Sequence, residues 1–174
     1  WLTTTMRNTL NSIAPGVIDF KRTLAVAWCS YSTVIQSRSW LPDGIGGVCW
    51  FAVDNPAQSP RIPIFCGSTK LPEAFEKCGQ REYYPNSVLW EFRRANKLAT
   101  LSWQKTKKEF TDNVLEMEAM TFEGLPELES EYSKVSARKR AKLLNAYTAE
   151  IHDKCAARWK ELEAKYWSMF GRGF

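Results

Sequence analysis

The chain has 174 residues, 44% of them hydrophobic and 13% aromatic, which is enough for one sizeable core and too little for two ordinary domains. Its net charge of +5, from 24 basic and 19 acidic residues, is too mild to identify a polyanionic partner, and no apolar run reaches the length of about eighteen residues that a membrane span needs. The single histidine, His152, argues against His-rich metal sites and against any Ser-His-Asp or Cys-His arrangement within the chain. The five cysteines, Cys29, Cys49, Cys66, Cys78 and Cys155, are odd in number and never fall as Cys-x-x-Cys, so they read as buried free thiols rather than a zinc ribbon or a complete disulfide framework.

The N-terminal WLTTTMRNTL lacks a charged region followed by an apolar core, so no signal peptide is expected, and without an initial Met the chain reads as processed or excised. From Thr23 to Phe65 the pattern is that of strands: TLAVAWCSYSTVIQSRSW is rich in β-branched and aromatic residues, and PDGIGG supplies a turn before VCWFAV. A hairpin is expected. VCWFAV does not alternate, which predicts a strand buried on both faces. It stops abruptly at Asp54-Asn55-Pro56, where proline ends the ladder. The following segment, 55–85, carries five prolines and three acidic residues without any period and reads as an ordered loop wall.

After Pro85 the signal becomes helical. Asn86-Ser87 is a plausible N-cap for VLWEFRRANKLATLSW, in which Leu89, Phe92, Leu98 and Leu101 fall near one face. A second helix is expected from about Thr106 to Phe122, stopped by Gly124 and Pro126. The last runs from about Ser133 to Met169, with Leu144, Tyr147, Ile151, Cys155, Trp159, Leu162 and Tyr166 stepping by three or four. A helix of that length outruns one small domain, so part of its stripe is expected to face another chain or a further part of the same one. His152 on this helix reads as a surface or helix-side residue. The basic run KVSARKRAK, Lys134 to Lys142, reads as a solvated helix face; with no aromatic inside it, nucleic-acid binding is not expected. The organisation expected is a single α+β unit over 1–174, with strands in 20–66, the loop wall in 67–85 and a helical layer in 86–170.

KRTLAVAWCSYSTVIQSRSWLPDGIGGVCWFAVDNPAQSPRIPIFCGST, followed by SVLWEFRRANKLA, resembles the C-terminal half of the C69 dipeptidases, relatives of secernin among the N-terminal-nucleophile hydrolases. The resemblance covers about Arg22 to Ser102. It implies part of a four-layer αββα sandwich, in which two antiparallel sheets are covered by helices, and an N-terminal cysteine that attacks a dipeptide amide with its own α-amino group as base. No histidine, metal or cofactor is required by such chemistry. Trp1 stands at the N-terminus instead, and Cys29, Cys49 and Cys66, in or beside apolar strands, read as structural thiols. The nucleophile is therefore expected outside this chain, with the N-terminal portion of the same enzyme, or another chain, as partner in an oligomeric assembly. The alternative is a degenerate, inactive relative that serves as a structural subunit.

By resemblance, Asn55 before Pro56 matches a strand-end asparagine that donates to the oxyanion, although an Asx turn explains the same residue pair. Arg93 matches the arginine that favours thiolate near the nucleophile, with an ion pair to Glu91 or Asp54 as the competing reading. Arg38, at the end of the first strand, and Arg94 are candidates for binding the substrate carboxylate, which suits a guanidinium fork.

Overall fold

The computed structural model describes residues 4–19, 24–26 and 28–171. An N-terminal helix, α1 (Thr4–Ile13), precedes the strands, and Asn11 closes its exit by bonding both the N–H and the carbonyl of Ile18 at 3.0 Å. Strands β1 (Tyr31–Ser37), β2 (Gly47–Val53) and β3 (Ile62–Phe65) form one antiparallel sheet in the order β1-β2-β3. The hairpin is thus present, but β1 begins at Tyr31, and PDGIGG is no tight turn. Asp43–Gly46 instead makes a single helical turn, α2, set up by Pro42 at φ −57°.

The register explains what the sheet covers. Val34↔Trp50 and Val48↔Phe65 place Val48, Trp50 and Phe65 on one face, where they join Ile45, Leu125, Leu128, Tyr132 and Leu144 in a core cluster. The opposite face carries Tyr31, Thr33 and Ile35 from β1, Cys49 and Phe51 from β2, and Ile64 from β3. At one end of that face Val53 and Ile62 go under the helices, while Cys49, Phe51 and Ile64 are only half-buried and the β1 residues are exposed. VCWFAV is therefore fully covered on one face and half covered on the other, contrary to its non-alternating sequence. Strand β1 pairs only with β2, so its outer edge has no partner strand among the described residues.

Three helices follow. Helix α3 (Val88–Thr100) buries Val88, Leu89, Phe92, Ala95, Asn96 and Ala99, while Leu101 just beyond it is exposed. Ser87 occupies the N-cap, yet its hydroxyl donates to the Tyr84 carbonyl at 3.0 Å rather than capping the helix. Helix α4 (Trp103–Lys134) starts near the expected place but runs straight past Gly124 and Pro126. Leu125, Leu128 and Tyr132 all enter the cluster beneath the sheet, and that burial outweighs the hydrogen bond lost at Pro126. Gly124 is needed there for another reason, since a Cβ would stand 2.7 Å from the Tyr147 hydroxyl, which donates to the Thr121 carbonyl at 2.5 Å.

Helix α5 (Ala137–Phe170) buries Leu144, Thr148, Ile151, His152, Cys155, Trp159, Leu162 and Tyr166. The predicted stripe is correct, but it is consumed within the chain: Leu144 packs under the sheet and Ile151 to Tyr166 pack with α3 and α4. The longer α4 supplies the covering surface. His152 is buried at 4% exposure between Glu91 and Asp153, not at the surface. Of the cysteines only Cys155 is fully buried; Cys29 and Cys49 are half-buried and Cys66 and Cys78 exposed, all with free thiols.

Candidate active site

The end of β2 departs from ordinary backbone. Asp54 adopts φ 59°, the one positive φ at a non-glycine among the described residues, and its N–H closes the ladder onto the Ser30 carbonyl at 2.8 Å. Aspartate tolerates this left-handed region better than most residues because its short side chain bonds locally, yet the conformation costs on the order of 1–2 kcal/mol. The consequence is a sharp turn that sends the Asp54 carboxylate toward α3. Asp54 Oδ1 accepts from Arg93 Nε at 2.6 Å and Oδ2 from Asn96 Nδ2 at 3.0 Å, with the carboxylate fully buried.

Asn96 is itself fixed. Its Nδ2 also meets Ser59 Oγ at 3.0 Å, and its Oδ1 accepts from Trp159 Nε1 at 2.9 Å. Arg93 reaches the Cys29 carbonyl through Nη2 at 3.4 Å and lies over the Trp90 ring at 5.7 Å. The next residue, Asn55, two positions past the end of β2, is buried. Its Oδ1 accepts from the Ala57 N–H at 3.0 Å, an Asx turn, and its Nδ2 donates to Gln58 Oε1 at 2.8 Å. Gln58 in turn reaches the Asn96 carbonyl at 3.5 Å, so the turn after β2 and the middle of α3 form one polar network.

The structure brings Asn55 and Arg93 into this network and leaves Arg38 and Arg94 outside it. Arg38 is buried, donating to the Ile45 carbonyl at 2.6 Å and to the Gly46 carbonyl at 3.4 Å, and it pairs with Glu129 of α4. Arg94 pairs with Glu163 of α5 at 2.8 Å and donates to the Pro85 carbonyl at 2.9 Å. Both tie the strand and loop layer to the long helices, and Arg38, with all three guanidinium nitrogens engaged, would have to give up a partner to hold a substrate.

Four members of the network, Gln58, Ser59, Asn96 and Trp159, carried no functional expectation. Asn96 had a readable signal: it lies one turn after Phe92, so a polar amide falls on the buried stripe of α3, where it needs partners. Among the described residues no group of three or more His, Cys, Asp or Glu side chains is arranged to hold a metal ion. The loop wall forms a separate hollow of about 400 Å³, lined by Glu73, Glu76, Lys77, Tyr84, Ser87 and Glu91 among others, and neither Asn55 nor Arg93 borders it.

The chain matches the family model of Peptidase family C69 over residues 5–116, which takes in the whole sheet, the Asp54-Asn55-Pro56 turn and all of α3. The chain belongs to this peptidase family. No curated protein matches it. Membership gives a peptidase-type function, and all four expected site residues, Arg38, Asn55, Arg93 and Arg94, fall within the matched region. The match ends within α4, so the C-terminal half of α4 and all of α5 lie beyond it.

Proposed function

We infer that the chain is the C-terminal portion of a dipeptidase whose cysteine nucleophile, at a processed N-terminus, lies outside these residues. In this reading the thiolate attacks the amide carbonyl, its α-amino group serves as base, Asn55 donates to the oxyanion and Arg93 supplies the positive charge that favours thiolate. The observation that carries it is the state of Asn55. Its Oδ1 is tied down by the Asx turn and one amide hydrogen by Gln58, so the second hydrogen is held in a fixed direction at the end of a central strand. Thus the turn that competes with a catalytic role also preorganises the donor.

The sheet supports the same reading. An open β1 edge and a half-covered apolar face are what one half of a two-sheet sandwich presents before the second sheet is laid on it. Arg38 and Arg94 serve in this proposal as braces rather than substrate ligands.

The test joins this chain to its upstream portion and follows dipeptide hydrolysis with and without thiol alkylation. Asn55→Ala should lower kcat on the order of 100- to 1,000-fold with little change in KM, as loss of one oxyanion donor does. An unchanged kcat removes Asn55 from the mechanism. A complete protein without any thiol-dependent hydrolysis removes the enzyme reading and leaves a structural subunit.

A further inference from the structure

The Asp54 carboxylate has no task in the reaction as described, yet the chain bends into a left-handed conformation to deliver it, fully buried, against α3. Each of its oxygens takes one partner, and the two partners, Arg93 and Asn96, lie one turn apart on the same helix. A line of hydrogen bonds therefore runs from the core outward: Trp159 to Asn96, Asn96 to Asp54, and Arg93 to Asp54. Arg93 is gripped by its Nε edge. A guanidinium has five N–H donors in a rigid plane. Among the described residues Nε serves Asp54, Nη2 makes the long contact to Cys29, and Nη1 has no protein partner. Holding the Nε edge fixes the direction in which the rest of the fork points.

We propose that Asp54 is a positioning residue for the peptidase reaction, acting through Arg93 by fixing the face its guanidinium presents to the thiolate and substrate. The inference rests on the dipeptidase reading given above. A clamp of purely structural purpose would hold β2 to α3 equally well with the arginine reversed. What distinguishes the two is whether loss of Asp54 matters once Arg93 is gone.

The experiment uses the complete peptidase and a dipeptide substrate. Asp54→Asn keeps a side chain of the same shape that also tolerates positive φ, removes the charge that orients Arg93, and turns one acceptor oxygen into a donor facing Arg93 or Asn96. It should lower kcat on the order of 10- to 100-fold with KM within a few-fold, because small misplacement of a catalytic group has effects of that size. In an Arg93→Gln background the same substitution should change kcat less than about twofold, the non-additivity expected of residues acting as a unit. Wild-type kcat in Asp54→Asn, or losses that multiply in the double variant, overturns the proposal. If Asp54→Asn does not fold, Asn96→Ser, which loosens the other carboxylate oxygen, should lower kcat in the same direction, and unchanged kcat there overturns it as well. Activity that survives thiol alkylation, or that is unaffected by Arg93→Gln, overturns the dipeptidase reading and this inference together. Alkylation-sensitive, Arg93-dependent activity indifferent to Asp54 overturns this inference alone.

Discussion

At the scale of single residues, His152 has the most exposed consequences. Burial pulls its pKa down, but hydrogen bonds from Nε2 to Glu91 and from Nδ1 to Asp153, each 2.9 Å, together with the two carboxylate charges, outweigh burial and raise it above the ordinary histidine value. Phase and sign follow from linkage. A group whose folded-state pKa is raised contributes stability that is complete below its unfolded value, about 6.5, and that is lost as pH rises through the folded-state value. The melting temperature should therefore fall as pH is raised from about 6 into the mildly alkaline range, and His152→Gln should flatten that segment of the profile. A wild-type profile flat over the same range would show that the imidazole is not charged between the carboxylates. The cysteines obey a related rule. Burial and the nearby Glu118 charge push the Cys155 thiol up to about 12, whereas Cys66 and Cys78 are exposed, so a thiol reagent at neutral pH should label the latter two and reach Cys155 only on unfolding.

At the scale of elements, the joint of α3, α4 and α5 is the tightest part of the molecule. Trp159 of α5 is fully buried, 5.4 Å from Phe92 of α3 and 5.6 Å from Phe110 of α4 between ring centroids, and its indole N–H holds Asn96. Trp159→Ala should destabilise by about 3–5 kcal/mol, the usual cost of emptying such a site. Trp159→Phe keeps much of the volume but strands Asn96 Oδ1, a loss of about 1–3 kcal/mol. Denaturant unfolding of both variants checks the order; a Trp159→Phe protein as stable as the wild type would mean that the hydrogen bond contributes nothing.

The same elements show what was legible in the sequence. The stripe on α5 could be read because one apolar residue every three or four positions has few other uses. The run of α4 past Pro126 could not, because the breaker is local information whereas the burial of Leu125, Leu128 and Tyr132 depends on a sheet far away in sequence. Asn55 and Arg93 could be read as a strand end and a helix start. Their joining through Asp54 could not, since nothing in the chain announces that Asp54 takes a left-handed backbone and finds a partner 39 residues on.

At the scale of the whole molecule, the sheet is finished on one face and unfinished on the other. Strand β1 has one neighbour among the described strands, and it exposes Val34 at 50% and Ile35 at 71% of their surfaces on its two faces, with Trp28 and Trp40 exposed just outside its ends. An open edge with apolar side chains on both faces is a template for pairing with another chain. In the proposed complete peptidase the upstream portion covers this region. Produced alone, the chain should instead self-associate, and the association should run through β1. Val34→Lys with Ile35→Glu places charges on both faces of the edge, where exposed substitutions alter folding stability by only about 0.5 kcal/mol. Sedimentation should then report a shift from associated species toward monomer while the melting temperature holds. A chain that is monomeric without these substitutions, at concentrations of tens of micromolar and above, would mean that the edge is protected within the chain itself, and the case for a missing second sheet would lose its structural support.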